Sequence, residues 1–261
     1  MSQISLSPRK KDIIVLMYHG TPNHQPTSEY SINARQFKAQ LAYLKKKGWV
    51  TALFRDLQDT SKLADKTVIL TFDDGYANNF EGAFVPLVEN AMKATWFITT
   101  DCIGKHALWM GTPRPETQML TPGQLLQMNG SGMEIGSHTC SHPDLSALPY
   151  PVQVDEMSRS KQLLETLINS EVTSFAYPYG RYNNDSLMAA KAAGFQMACS
   201  VQPGWFSSED DLLLVRRVTV FANDSVSTLA RKLIFADNDV SWQKLARYYF
   251  GRINEKLASN H

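Results

Sequence analysis

Cysteine is scarce. Cys102, Cys140 and Cys199 are the only three in 261 residues. An odd number at such wide spacing does not make a disulfide framework. No charge of one sign dominates, with 26 Lys and Arg against 25 Asp and Glu and a net charge of +1. That balance excludes the basic surface expected of a nucleic-acid binder. Long apolar runs are missing too. The first, Ile13 to Tyr18, follows a polar start ending in Arg9-Lys10-Lys11 and is too short for a signal-peptide core or a membrane span. The expectation is a cytoplasmic protein if Met1 is the native start, and a periplasmic or extracellular one if a leader has been trimmed. There is no internal repeat and no low-complexity segment. What remains is 43% hydrophobic and 20% charged, enough for a full core in one large α/β domain or two small ones.

Short apolar runs alternate with helix-period stretches. Strands are expected at 13–18, 49–53, 67–72, 94–99, 133–137, 173–177, 195–200 and 214–221, each rich in β-branched or aromatic residues and bounded by turn residues. Asn33 can cap a helix carrying Phe37, Leu41 and Leu44 and stopping at Gly48. Further helices are expected over 79–92, from Thr121-Pro122, over 151–168 and over 185–193. Such alternation predicts a mainly parallel sheet, and seven or eight strands favour closure into a barrel. The longest loop, 101–119, holds Gly104, Gly111, Pro113 and Pro115, and long loops in compact domains are often functional. After residue 222 the pattern changes to two amphipathic helices. One carries Leu229 and Leu233. The other carries Trp242, Leu245, Tyr249, Phe250, Ile253 and Leu257, with Lys244, Arg247, Arg252 and Lys256 opposite. Packing on the barrel with a solvated basic face is the preferred reading, and contact with an anionic membrane surface the less favoured one.

Two strings carry the chemistry. Thr71-Phe72-Asp73-Asp74-Gly75 places two adjacent carboxylates and a glycine at the end of a buried strand, where parallel α/β folds hold their sites. Neighbouring side chains on a strand point to opposite sides, so both carboxylates can face one site only if the chain turns, which Gly75 permits. Ser137-His138-Thr139-Cys140-Ser141-His142 follows another strand, and a spacing of four brings both imidazoles to one side of a helical turn. One carboxylate and two imidazoles suit a catalytic divalent metal, and the second carboxylate is free to act as a base. Cys140, midway between the histidines, points away if they share a face. Two further strand ends complete the pattern. Phe175-Ala176-Tyr177-Pro178-Tyr179-Gly180 can offer the Tyr179 N–H to an oxyanion, and Met17-Tyr18-His19-Gly20 places a histidine able to give a proton to a leaving group.

These strings resemble the motifs of NodB-type polysaccharide deacetylases, carbohydrate esterase family 4, over roughly residues 10 to 222. Met17-Tyr18-His19 resembles the subgroup containing the biofilm poly-N-acetylglucosamine deacetylases. The resemblance implies a distorted (β/α)7 barrel over 1–222, followed by a C-terminal helical extension, 223–261. It implies metal ligands Asp74, His138 and His142, general base Asp73, general acid His19, and an oxyanion hole shared by the metal and Tyr179 N–H. The implied reaction removes N-acetyl groups from an N-acetylhexosamine glycan. Zn²⁺ is the first choice of metal, and Co²⁺, Ni²⁺ or Mn²⁺ also suit such ligands. An O-acetyl esterase, a non-sugar amidase and an inactive glycan-binding module are the alternatives. Trp109, Tyr177 and Trp205 are candidate sugar contacts. Many family members carry an arginine where this chain has Ala176, and it pairs with the base. Arg181, Arg216 and Arg217 are the candidate replacements.

Overall fold

The computed structural model of the protein describes residues 11–246. Its strands are β1 (Asp12–Tyr18), β2 (Val50–Ala52), β3 (Lys66–Phe72), β4 (Thr95–Ile98), β5 (Glu134–Ser137), β6 (Ser174–Ala176), β7 (Met197–Cys199) and β8 (Val218–Thr219). All pair in parallel, in the order β7-β6-β5-β4-β3-β1-β8, with β2 on β3. One edge of β3 serves two neighbours. Residues 67–69 pair with β2, and Thr71 and Phe72 pair with β4. The ends of the sheet are drawn together just before β8, where Val215 N–H donates to Ala198 C=O and Ser200 N–H to Val215 C=O, both at 3.0 Å. The result is a distorted, curled parallel barrel.

Strand alternation sorts the core into two layers. From β1, Ile14, Leu16 and Tyr18 face the helices, while Ile13 and Val15 face the interior with Phe97, Ala176, Met197, Cys199 and Val215. In the outer layer Phe72 stacks between Tyr18 (5.2 Å between ring centroids) and Trp96 (4.9 Å). The helices covering it are α1 (Ala34–Lys46), α2 (Val85–Glu89), α3 (Pro122–Gly130), α4 (Tyr150–Ile168), α5 (Asn184–Ala192) and α6 (Val226–Phe235). Asn33 caps α1 as expected, accepting from Arg35 N–H at 2.9 Å, and Phe37, Leu41 and Leu44 form the buried stripe. Thr121 and Gln124 form a reciprocal capping box on α3.

Two stretches depart from the sequence pattern. The expected helix over 79–92 is split into a π-helical turn, Phe80–Phe84, and the short α2. Pro86 has no N–H to continue an α-helical ladder, and Gly82 lies so close to the loop after β1 that a Cβ would sit 1.9 Å from Thr21 O. Residues Phe54–Lys62 form unexpected 3-10 turns. At the C-terminal end, α6 adds Leu229 and Leu233 to the outer core. Lys232 on the same helix is buried as well. It pairs with Asp224 and donates to Thr219 C=O at 2.6 Å. Trp242 is 70% exposed, with the Arg231 guanidinium 4.6 Å above its ring. Arg247, Tyr249, Phe250, Arg252, Ile253, Lys256 and Leu257 lie outside the described residues. Among the described residues no helix is long and apolar enough to cross a membrane. All three cysteines are buried free thiols.

Candidate metal and acid–base site

The carboxyl ends of β1, β3, β5 and β6 deliver the site. Asp73 is the first residue beyond β3 and is still tied to β1, its N–H donating to Tyr18 C=O at 2.9 Å. The chain then reverses in a three-residue turn, with Gly75 N–H donating back to Asp73 C=O at 2.9 Å and Asp74 at φ 73°. Positive φ on a non-glycine residue at such a turn costs about 1–3 kcal/mol and is found where the surrounding structure enforces it. The turn expected at Gly75 thus begins one residue earlier. It brings both carboxylates into one cavity of about 530 Å³, lined also by His19, His138, His142, Trp109 and Tyr179.

The two histidines do not sit on a helical turn. The segment after β5 is an irregular loop in which Thr139 (φ 68°) and His142 (φ 64°) are left-handed. Those two residues fold His142 back towards His138. Glu156, on α4, secures the loop by accepting from Cys140 N–H and Ser141 N–H, both at 2.9 Å, and from Ser141 Oγ at 2.8 Å. Nothing in the local sequence announced Glu156, because it lies on the next helix. Cys140 lines a separate surface cavity with Ile103 and Leu163, away from the carboxylates.

Asp74, His138 and His142 are all buried, and their donor atoms lie within 4.8 Å of one another. Asp74 Oδ1 is 3.4 Å from His138 Nε2 and 3.3 Å from His142 Nε2. Bonds of about 2.0–2.1 Å in a tetrahedron place ligand atoms about 3.3–3.4 Å apart, so the cluster fits a small divalent ion such as Zn²⁺. Burial opposes the charge on Asp74, but the two imidazoles hold its carboxyl well below the usual carboxylate range. His138 Nδ1 lies 2.7 Å from Ala176 C=O, which fixes the hydrogen on that nitrogen and leaves Nε2 as the electron-pair donor. Burial pushes the His142 pKa down, against the pull of Asp74, favouring the neutral, ligating form.

Of the candidate arginines, Arg217 meets Asp73. It enters the barrel interior and donates from Nη1 to Asp73 Oδ1 at 2.6 Å and from Nη2 to Oδ2 at 2.7 Å. Its remaining donors reach Ser200 C=O at 2.9 Å and Thr71 Oγ1 at 3.1 Å. Arg181 pairs instead with Asp144 at the surface. Asp73 is completely enclosed, which alone would raise its pKa. The Arg217 charge and hydrogen bonds override that and hold it below the ordinary value. His19 extends from the end of β1 with its ring 5.3 Å from that of Tyr30. Its loop is tied to the Asp74 side by Thr21 N–H donating to Asn78 Oδ1 at 2.8 Å. Tyr179 is left-handed (φ 59°), half exposed, and sets its ring edge-on to His142 at 4.6 Å.

The aromatic candidates separate. Trp109 lines the cavity and stacks on His142. Tyr177 does not reach it. That side chain is fully buried in the outer core between Phe175 and Tyr182. Trp205 packs against the same core and is not part of the cavity wall. Both are therefore corrected from sugar contacts to packing. Tyr177 directly follows β6, as His138 follows β5, and only the direction of the side chain distinguishes it from a site residue.

A family model described as Polysaccharide deacetylase matches residues 60–198. YxkH of Bacillus subtilis (strain 168), a polysaccharide deacetylase by name, is 32% identical over 211 residues, covering 79% of this chain and 70% of its own. The poly-beta-1,6-N-acetyl-D-glucosamine N-deacetylase of Staphylococcus epidermidis is 25% identical over 255 residues, 87% of this chain and 85% of that protein. Among solved structures, the Streptococcus pyogenes deacetylase PplD in complex with acetate superposes with a TM-score of 0.75 at 29% identity, covering 86% of this chain and 99% of that one. IcaB from Ammonifex degensii, at 24% identity, shares the fold with a TM-score of 0.74 over 87% of this chain and 97% of that one.

Proposed function

Because this chain belongs to the polysaccharide deacetylase family, we propose that it hydrolyses N-acetyl groups on an N-acetylglucosamine-containing glycan, with Asp74, His138 and His142 holding a divalent metal, Zn²⁺ first among those that fit. One observation carries the reading. A buried Asp–His–His cluster shares its cavity with a second carboxylate, Asp73, whose arginine partner keeps it ionised, and with His19. When bound, the metal supplies Lewis acidity that acidifies water and polarises the acetyl carbonyl.

The chain's own groups do the proton work. Asp73, ionised across the neutral range, accepts a proton from the attacking water. Arg217 fixes both carboxylate oxygens, so the base is held in one orientation. The backbone N–H of Tyr179 is the proposed donor to the oxyanion that develops on the acetyl oxygen. His19, in its protonated form, gives a proton to the glucosamine nitrogen as the C–N bond breaks. Amines leave poorly unless protonated, so an acid at this position suits an amide better than an ester. The products are acetate and a free amino sugar.

The name of the Staphylococcus epidermidis relative supports a β-1,6-linked poly-N-acetylglucosamine as substrate. The test is acetate release from oligomers of that polymer, from chitooligosaccharides and from acetylated xylan, each with and without Zn²⁺. Release from a β-1,6-linked oligomer that stops on chelation and returns with Zn²⁺ is expected. Release from xylan alone would turn the reading to an O-acetyl esterase. Undiminished release after chelation would remove the metal.

A further inference from the structure

The two histidines of the cluster are held by different means. His138 has a hydrogen bond from Nδ1 to the Ala176 carbonyl at 2.7 Å. His142 Nδ1 is buried and has no hydrogen-bond partner among the described residues. Metal-binding imidazoles almost always donate their second nitrogen to an acceptor, which sets the ring plane and the tautomer, and loss of that partner typically costs about 10–100-fold in metal affinity. Something else must orient His142, which also sits at a strained, left-handed position.

Two aromatic rings enclose it. Trp109 lies parallel to the imidazole, with centroids 4.2 Å apart and 16° between planes, and Tyr179 meets it edge-on at 4.6 Å and 74°. The indole is seated on a small separate core of Tyr76, Cys102, Ala107 and Met119. Its loop is a hairpin whose stem is fastened by Ala107 N–H to Thr117 C=O at 2.8 Å and Met119 N–H to Lys105 C=O at 2.9 Å. Ala77 N–H donates to Gln118 C=O at 2.8 Å, so the hairpin is joined to the chain that leaves Asp74.

We propose that Trp109 is a positioning residue of the metal centre: it fixes the His142 ring by stacking, in place of the hydrogen bond that His142 lacks. This rests on the metal site proposed above. It assigns the long 101–119 loop to the metal rather than to the sugar alone. It also makes the two histidines unequal, with His142 the one whose geometry depends on the loop.

The experiment is a competition titration of the metal-stripped full chain with Zn²⁺ and a chromophoric chelator. Wild type, Trp109→Ala and Trp109→Phe are compared, with a thermal melt of each metal-free protein beside it. Trp109→Ala should weaken Zn²⁺ binding by about 10–100-fold. Trp109→Phe, which restores a stacking face, should recover most of that loss. Wild-type Zn²⁺ affinity in Trp109→Ala overturns the inference, whether the glycan KM rises (a sugar platform) or only the melting temperature falls (packing). Failure of the wild type itself to bind Zn²⁺ is a separate result, which removes the metal site and the inference with it.

Discussion

Two carboxylates are buried inside the same barrel, at opposite ends, and they behave in opposite ways. Glu134 opens β5, at the amino-terminal end, and accepts from Arg55 N–H at 3.0 Å, Thr95 Oγ1 at 2.9 Å and Ser174 Oγ at 2.8 Å. Burial pushes its pKa up, and these hydrogen bonds, with the more distant Arg55 charge, do not bring it back. Asp73, beyond the carboxyl end of β3, is as deeply enclosed, yet its pKa is lowered because Arg217 grips both oxygens. Burial is common to both, so a full positive charge in contact makes the difference. One barrel therefore holds a carboxyl that favours its proton and, at the end where parallel barrels place their chemistry, one that gives it up.

The sharpest way to break the comparison is to remove the carboxylate proposed as the base. Asp73→Asn should lower kcat by about 10²–10⁴-fold while Zn²⁺ binding, read by metal analysis, persists. Asp74→Ala, His138→Ala or His142→Ala should lose metal and turnover together. Equal turnover in Asp73→Asn would make Asp73 a structural twin of Glu134. Next comes the cation. Arg217→Met leaves Asp73 buried and unpaired, with an expected stability loss of about 3–5 kcal/mol in urea titrations. Its pH dependence has a fixed sign. A carboxyl with a lowered folded pKa stabilises fully above its unfolded pKa of about 3.9, and that stability is lost as pH falls through the folded value. Without Arg217 the Asp73 pKa should rise, so the acidic limb of kcat/KM should move to higher pH. An unmoved limb would show that Arg217 does not set the ionisation of the base.

The two carboxylates were not equally legible in the sequence. Asp73-Asp74-Gly75 stands out because an apolar strand runs into adjacent charges. The first seven strands are readable within a residue or two, but the eighth, expected over 214–221, is only Val218–Thr219. Glu134 lies in a similar run but precedes its strand's apolar residues, and its role depends on Thr95 and Ser174 across the barrel. Arg217 was only one of three candidates, since nothing local says which arginine crosses an interior walled by residues as small as Ala176 and Gly136. The four-residue spacing of His138 and His142 suggests a helical turn, but their convergence comes from two left-handed residues, and backbone strain of that kind leaves no hydrophobic period. Tyr177 has the right position along the chain and points into the core, while Trp205 lies in the loop after β7, half-buried against the same core. In each case the missing information is a direction or a cross-barrel contact, which one-dimensional pattern does not encode.

His19 tests whether the carboxyl end needs a second titratable group. His19→Ala should lower the rate on an N-acetyl substrate by about 10²-fold, as loss of a general acid does. An aryl acetate, whose leaving group departs without a proton, should lose much less. Equal losses on both would remove the acid role and leave Asp73 as the end's only proton-transfer group.

The smallest effect belongs to the other end. Glu134→Gln keeps the shape and one carbonyl oxygen, which can go on accepting from Arg55 N–H and Thr95 Oγ1, and the Ser174 hydroxyl can turn to accept from the new amide. Its cost should be about 1–3 kcal/mol of stability near pH 4. A carboxyl with a raised folded pKa stabilises fully below its unfolded value of about 4.3, and that contribution is lost as pH rises through the folded value. The wild type's advantage over Glu134→Gln should therefore shrink from pH 4 to pH 8, the reverse of the trend expected for wild type against Arg217→Met. Turnover should stay at the wild-type level at every pH, because the carboxyl touches neither substrate nor metal ligands. A loss of kcat in Glu134→Gln as large as in Asp73→Asn would mean that the two ends of the barrel are coupled. The division between a structural and a catalytic carboxylate would then fail.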